Sequence, residues 1–248
     1  MNMNNLAGKN ALVTGGSRGI GAAIVKRLAS QGAHVTLTYA GGEAAAQAVV
    51  EEVHLAGGYA QALKADAGKR GDGENAVAKV VEDHGSLDIL VSNAGVNISK
   101  PMAELSDEDF DTTFGINVHG NFEVIRSAAK EMKEGGRIVV ISATIANSFF
   151  APGLALYGAS KAAVNAFVQG WARDLGPRGI TINAVVPGPI DTDMNPKDTE
   201  LGAHLTQMVP LGRYGHSEEV AALATFLVGE EAGFITGARM IIDGGMNV

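Results

Sequence analysis

Cysteine is absent from this 248-residue chain, which excludes a disulfide framework, a thiolate nucleophile and thiolate metal sites, and fits a reducing compartment. The six histidines show no HExxH or other paired-ligand spacing, so no metal is expected. A basic stripe is also missing. The formal net charge is −8, with Lys and Arg scattered, which argues against nucleic acid or an anionic membrane as partner. Met1-Asn-Met-Asn-Asn-Leu6 has neither a basic segment nor an apolar core, so no signal peptide is read there and a cytoplasmic location is expected. Residues 138–160 carry no charge over a length sufficient for a bilayer. Ser142, Thr144, Asn147, Ser148, Pro152 and Gly153 interrupt that stretch, and the chain broken at Pro152-Gly153 would be unsatisfied in lipid. It reads as a buried strand, a loop and a helix start.

At 46% hydrophobic and 19% charged residues, the chain suits one large α/β domain, and residues 1–248 are expected to form a single domain. Short β-rich apolar runs at 11–14, 34–39, 60–65, 87–92, 137–142, 181–186 and 239–242 alternate with helical patterns at 19–31, 43–56, 73–83, 107–133, 157–175 and 217–227. Seven strands separated by helices predict a parallel sheet, and their near-continuous apolar character predicts helices on both faces. Ser106 and Ser217, each followed by acidic residues, read as capped helix starts. Gly115, inside the longest helical pattern, is a candidate point of division into two helices. Between 187 and 213 the rhythm fails amid Pro187, Pro189, Pro196 and Pro210, as expected for an irregular substrate lid.

Thr14-Gly-Gly-Ser-Arg-Gly-Ile-Gly21 follows the first strand and opens a helix. A glycine-rich strand-to-helix turn lets the backbone approach a pyrophosphate, and the helix N-terminus supplies unpaired N–H groups with partial positive charge. Gly15, Ser17, Arg18, Gly19, Ile20 and Gly21 are therefore candidate dinucleotide contacts. The second strand ends Leu37-Thr38-Tyr39-Ala40-Gly41, without the carboxylate that commonly accepts from the ribose 2′-hydroxyl of NAD. Glu43 begins the next helix, where it suits the dipole. Arg18 can reach a 2′-phosphate, so NADP(H) is favoured over NAD(H), with Tyr39 and Ala40 beside it.

Tyr157 and Lys161 stand four residues apart, one turn along a shared helix face. An adjacent ammonium is expected to lower the phenol pKa and fit Tyr157 for proton transfer, with Ser142 holding a substrate carbonyl. Together with the glycine loop and Asn93-Ala-Gly95, this set in this order resembles the short-chain dehydrogenase/reductase family over almost the whole length, with 3-oxoacyl-[acyl-carrier-protein] reductases among the similar members. The resemblance implies a single-domain, Rossmann-like, doubly wound fold. It implies that Asn117, Ser142, Tyr157 and Lys161 are catalytic. Asp66 and Ala67 would lie at the adenine ring, and Asn93, Ala94 and Gly95 along the cofactor. Pro187, Gly188, Ile190 and Thr192 would lie near the nicotinamide, and Lys161 would grip its ribose, while Asn117 would help hold a water leading from Lys161 to solvent.

The implied reaction is hydride transfer between nicotinamide and a carbonyl or alcohol carbon. The substrate stays open between a small ketone or alcohol and an acyl thioester, since Lys130 and Arg173 are meagre basic anchors for an acidic carrier and the net charge opposes one. Residues 143–154 with Phe149 and Phe150, 96–99 and 191–208 are candidate pocket walls. A nucleotide-sensing or sequestering protein with little turnover is the alternative from another class, and a purely structural oligomer a third. The family also implies a homotetramer, built from helices 107–133 and 157–175 and the C-terminal strand.

Overall fold

Among the described residues, seven strands, β1 (Asn10–Val13), β2 (His34–Tyr39), β3 (Tyr59–Lys64), β4 (Ile89–Ser92), β5 (Arg137–Ile141), β6 (Thr181–Pro187) and β7 (Arg239–Ile242), form one sheet in the order β3-β2-β1-β4-β5-β6-β7. Every pairing is parallel. The computed structural model describes residues 5–248; Met1 to Asn4, most of the stretch read as lacking a signal peptide, lie outside it. The chain runs outward from β1 to β3, then returns to place β4 against the other edge of β1. This reversal opens a crevice beyond the carboxyl ends of β1 and β4, where ligands of such sheets bind.

The helices are α1 (Gly19–Ser30), α2 (Glu43–Leu55), α3 (Asp72–His84), α4 (Asp107–Phe114), α5 (Asn121–Glu131), α6 (Ala155–Leu175), α7 (Glu200–Met208) and α8 (Ser217–Val228). Alternation along the strands divides the core in two. Ala11, Val13, Val139, Ile141 and Val185 pack towards α1, α2 and α8. Leu12, Ile138, Val140, Ile182 and Val186 pack towards α3, α5 and α6. Because both faces are covered, the strands carry apolar side chains at consecutive positions, the expected mark of a doubly wound sheet.

The structure differs from the sequence reading at three places. Gly115 does not divide the long helix. Its φ of −56° and ψ of −51° stay helical, and residues Gly115–Gly120 form a π-helical segment that joins α4 to α5 without a break. The proline-rich stretch contains α7, which the sequence conceals because Gly202 lowers helix propensity. A Cβ there would lie 2.1 Å from the Lys197 carbonyl oxygen, so glycine is required by close packing, and Thr199 caps the helix through the Gly202 N–H. The cap of α8 is His216 rather than Ser217, with Glu219 accepting from the His216 N–H at 2.8 Å. Ser106 caps α4 as read, in a reciprocal box with Asp109. No helix among the described residues is long and apolar enough to cross a membrane.

Candidate active site

Glycine shapes the turn after β1. Gly15 and Gly19 have φ of +64° and +53°, a region L side chains avoid. A Cβ on Gly21 would lie 2.2 Å from the Gly15 oxygen, so α1 can start only if that position is bare. No side chain caps α1 and no acidic residue occupies its first turn, which leaves its N–H groups and dipole directed at the crevice. Arg18 is exposed and has no ion-pair or hydrogen-bond partner for its side chain among the described residues. Ser17 and Ile20 are half-buried in the turn, and the Gly19 Cα side faces the Thr192 methyl, which would be 3.3 Å from an added Cβ.

Two threonines hold this turn, and only one was visible in the sequence motif. Thr38, at the end of β2, accepts from the Gly15 N–H through Oγ1 at 3.2 Å, while its carbonyl accepts from the Gly16 N–H at 2.9 Å. Thr14 Oγ1 accepts from the N–H groups of Asn93 (2.9 Å) and Ala94 (3.0 Å). Asn93 returns the link, its Nδ2 donating to the carbonyls of Thr14 and Gly15 at 3.0 Å each. Thr38 left no sequence signal beyond a polar residue in an apolar strand. Tyr39 buries its ring in the core layer that includes residues of α1 and α2, and Ala40 is exposed.

A narrow cleft runs from Thr14 and Thr38 past Asp66, Ala67 and Ala94 to Ile116. Asp66 shapes it as a turn residue, its Oδ1 accepting from the Gly68 N–H at 2.9 Å. At the far side, Pro187 ends β6 and Gly188 packs on the C-terminal tail, where a Cβ would meet that of Asp243 at 2.6 Å. Ile190 is buried and bridges to Gly215.

Asn117, Ser142, Tyr157 and Lys161 converge beyond β4 and β5. Asn117 lies fully buried in the π-helical segment, a widening that recurs at functional sites. Its Oδ1 accepts from the Val96 N–H at 2.8 Å, and its Nδ2 donates to the Val96 carbonyl (2.9 Å) and to Ser160 Oγ (3.0 Å). The side chain thus fastens the β4–α4 loop to α6. Gly95 fits between Asn117 and Lys161, since a Cβ there would lie 3.2 Å from Asn117 Oδ1 and 3.4 Å from Lys161 Nζ. Ser160, which no motif singled out, donates to the Tyr157 carbonyl at 2.7 Å and so ties this fastening to the helix turn that carries the phenol.

Lys161 is 4% exposed, and its ammonium donates to the Ile141 carbonyl at 2.9 Å. It lies 5.8 Å from the centroid of the Tyr157 ring. Ser142 is buried beside it, its hydroxyl directed at the Lys161 carbonyl oxygen at 3.4 Å. The expectation that Lys161 lowers the Tyr157 pKa is corrected here. Burial pushes the phenol up to about 12 and pulls the ammonium down to about 8, because removal from water disfavours the charged form of each. Tyr157 accordingly carries its proton at neutral pH, the state needed of an acid. Phe149, 57% exposed, lies against the same turn, with its ring edge 2.5 Å from where a Gly158 Cβ would be. Among the described residues, no three His, Asp or Glu side chains are placed to hold a metal ion.

A doubly wound sheet with a glycine turn at the β1/β4 crevice and a Ser-Tyr-Lys set beside it defines the dinucleotide-fold class of α/β proteins. The chain belongs to the short-chain dehydrogenase/reductase family: a family model described as enoyl-(acyl carrier protein) reductase matches residues 15–247. Among its relatives is the cyclic-di-GMP-binding biofilm dispersal mediator protein of Escherichia coli K12, 44% identical over 98% of both chains. A short-chain dehydrogenase/reductase of Serratia marcescens superposes with a TM-score of 0.96 at 48% identity, over 98% of this chain and all of that one. A Burkholderia cenocepacia short-chain dehydrogenase in complex with NADP gives 0.97 at 46% identity, over 99% and 100%.

Proposed function

We propose that this protein is an NADP(H)-dependent oxidoreductase that interconverts a ketone or 3-oxoacyl group and a secondary alcohol. The observation that carries the reading is the meeting of a half-buried Tyr157 with Lys161 one turn away, its ammonium 5.8 Å from the ring centroid, and with Ser142 against the Lys161 backbone, beside a crevice whose glycines leave a backbone cradle. The cradle fits a dinucleotide: bare α1 N–H groups for the pyrophosphate, the free Arg18 guanidinium for a 2′-phosphate, and the Asp66–Ala67 turn for the adenine ring. The B. cenocepacia relative, in complex with NADP, supports that choice. The cofactor supplies or accepts the hydride. Tyr157 gives its proton to the carbonyl oxygen in reduction and takes it back in oxidation, Ser142 orients that oxygen, and Lys161 holds positive charge beside both. Asn117 acts through position, by fixing the Val96 loop on α6. Phe149 forms one wall of the substrate pocket, and the segment around α7 covers it.

Arg18→Ala should weaken NADPH binding about tenfold or more while leaving NADH binding nearly unchanged, the scale of losing one charge-assisted hydrogen bond. Fluorescence titration of both nucleotides measures this, and equal losses for the two would remove Arg18 from the 2′-phosphate. The assembly proposed is a homotetramer, to be read by light scattering.

The E. coli relative's description as cyclic-di-GMP-binding favours a second reading, a nucleotide-sequestering protein with little redox turnover. A screen of ketones, 3-oxoacyl thioesters and alcohols with NADPH or NADP discriminates. Substrate-dependent change in nicotinamide absorbance supports the enzyme. Tight cyclic-di-GMP binding without turnover on any substrate supports sequestration.

A further inference from the structure

Helix α3 starts without a cap of its own. Its N-cap residue is Gly71, with φ of +89° and no side chain to accept the first N–H groups. The acceptor comes from another helix some fifty residues away. Glu123, on α5 and only 6% exposed, receives the Gly71 N–H on both carboxylate oxygens (3.1 and 3.0 Å) and the Gly73 N–H at 2.9 Å, with the Glu74 N–H at 3.4 Å. Gly73 allows the approach, since a Cβ there would lie 3.0 Å from Oε1. A buried carboxylate on several backbone donors at a positive helix end is a strong, directional tie.

The tie holds more than a helix end. The turn from Asp66 to Gly71 hangs from the start of α3, where the Asp66 N–H donates to Asp72 Oδ2 at 3.0 Å and the Asp72 N–H to the Lys69 carbonyl at 3.2 Å. Its other fixed point is the π-helical segment, where Ala67 packs so closely on Gly120 that a Cβ would lie 2.5 Å from the Ala67 oxygen. Asn121 joins this segment to the sheet. It donates to the Asn117 carbonyl at 2.6 Å and accepts from Ser92 Oγ at 2.7 Å. One stretch of helix, 117–123, therefore fixes Asn117 at one end and the Asp66–Gly71 turn at the other, and Glu123 lines the same cleft as Asp66 and Ala67.

We propose that Glu123 is a positioning residue for the adenosine half of the cofactor, holding the Asp66–Gly71 turn in its binding shape by capping α3 from across the cleft. The proposal rests on the dinucleotide reading above. A turn released from this anchor must be reordered on each binding event, so the loss falls on affinity and not on the chemical step.

The test is titration of Glu123→Ala and Glu123→Gln with NADPH and with adenosine 2′,5′-bisphosphate, alongside steady-state kinetics and amide exchange. Expected are a rise in Kd of about fivefold to thirtyfold for both ligands in the alanine variant, the scale of lost hydrogen bonds to a charged group. The glutamine variant, which keeps one acceptor oxygen, should show a smaller rise. KM for the nucleotide should follow, kcat and KM for the carbonyl substrate should hold, and exchange at Gly71 and Gly73 should quicken. If the alanine variant does not fold, the glutamine variant carries the test. Unchanged affinity in a folded variant, or an equal fall in kcat, would overturn the role of Glu123 alone. Failure of the wild-type protein to bind NADPH would overturn the dinucleotide reading and this proposal with it.

Discussion

Tyr157→Phe should lower turnover by about 10²- to 10⁴-fold, the range that a positioned proton donor contributes, while NADPH affinity stays within about twofold of wild type. The change removes one oxygen and keeps the ring, so the packing of α6 against Phe149 and the core is retained. Burial holds the phenol near 12, and no neighbouring acid replaces it: Ser142 is directed at a main-chain carbonyl and Lys161 donates to Ile141. The loss should therefore fall on kcat, which stopped-flow measurement of a single turnover reads directly. A variant that turns over at the wild-type rate would take the proton from elsewhere and would remove Tyr157 from the mechanism.

Lys161→Met should cost about 10²- to 10³-fold in turnover, as expected for removing a fixed positive charge beside developing oxyanion character. Unlike the tyrosine change, it should also weaken nucleotide binding. A pH signature separates the two. Desolvation lowers the Lys161 ammonium to about 8, so in the wild-type protein kcat/KM for NADPH, which reports the free protein, should fall as pH rises through about 8. That limb should vanish in Lys161→Met. The linkage to stability has the same origin. Between about pH 8 and the ordinary lysine value of 10.5, the unfolded chain holds a proton that the folded chain has released, so this group's contribution to stability rises with pH across that window. Tyr157 acts in the opposite sense. From 10 to about 12 the folded protein retains the proton that the unfolded chain loses, and its contribution falls as pH rises.

The sequence revealed what depends on local chain chemistry. Apolar strands alternating with helical patterns located all seven strands, because a sheet covered on both faces needs consecutive apolar residues. The glycine turn was legible because left-handed backbone demands glycine at Gly15 and Gly19. Features set by contact across the fold were hidden. Helix α7 looked like an irregular lid because the glycine that weakens it is required by the Lys197 carbonyl. Gly115 looked like a breaker, whereas the chain widens there into the π-helical turn that carries Asn117. At the site, the residue types and their order were readable, but the sign of the Tyr157 shift was not. Spacing places an ammonium one turn away, yet only the folded surroundings show that desolvation governs each group. Thr38, Ser160 and Glu123 carry no local pattern at all. Each is defined by a partner twenty or more residues away in sequence or by a neighbouring helix turn.

Label transfer tests the central claim most directly. The protein should be incubated with a ketone found in the screen and with NADPH deuterated at the transferable C4 position, and the product alcohol analysed by mass spectrometry. One deuterium on the carbinol carbon in the wild-type product, and almost no product from Tyr157→Phe, is the predicted result. Tight NADPH binding with no label reaching any carbonyl carbon would contradict it.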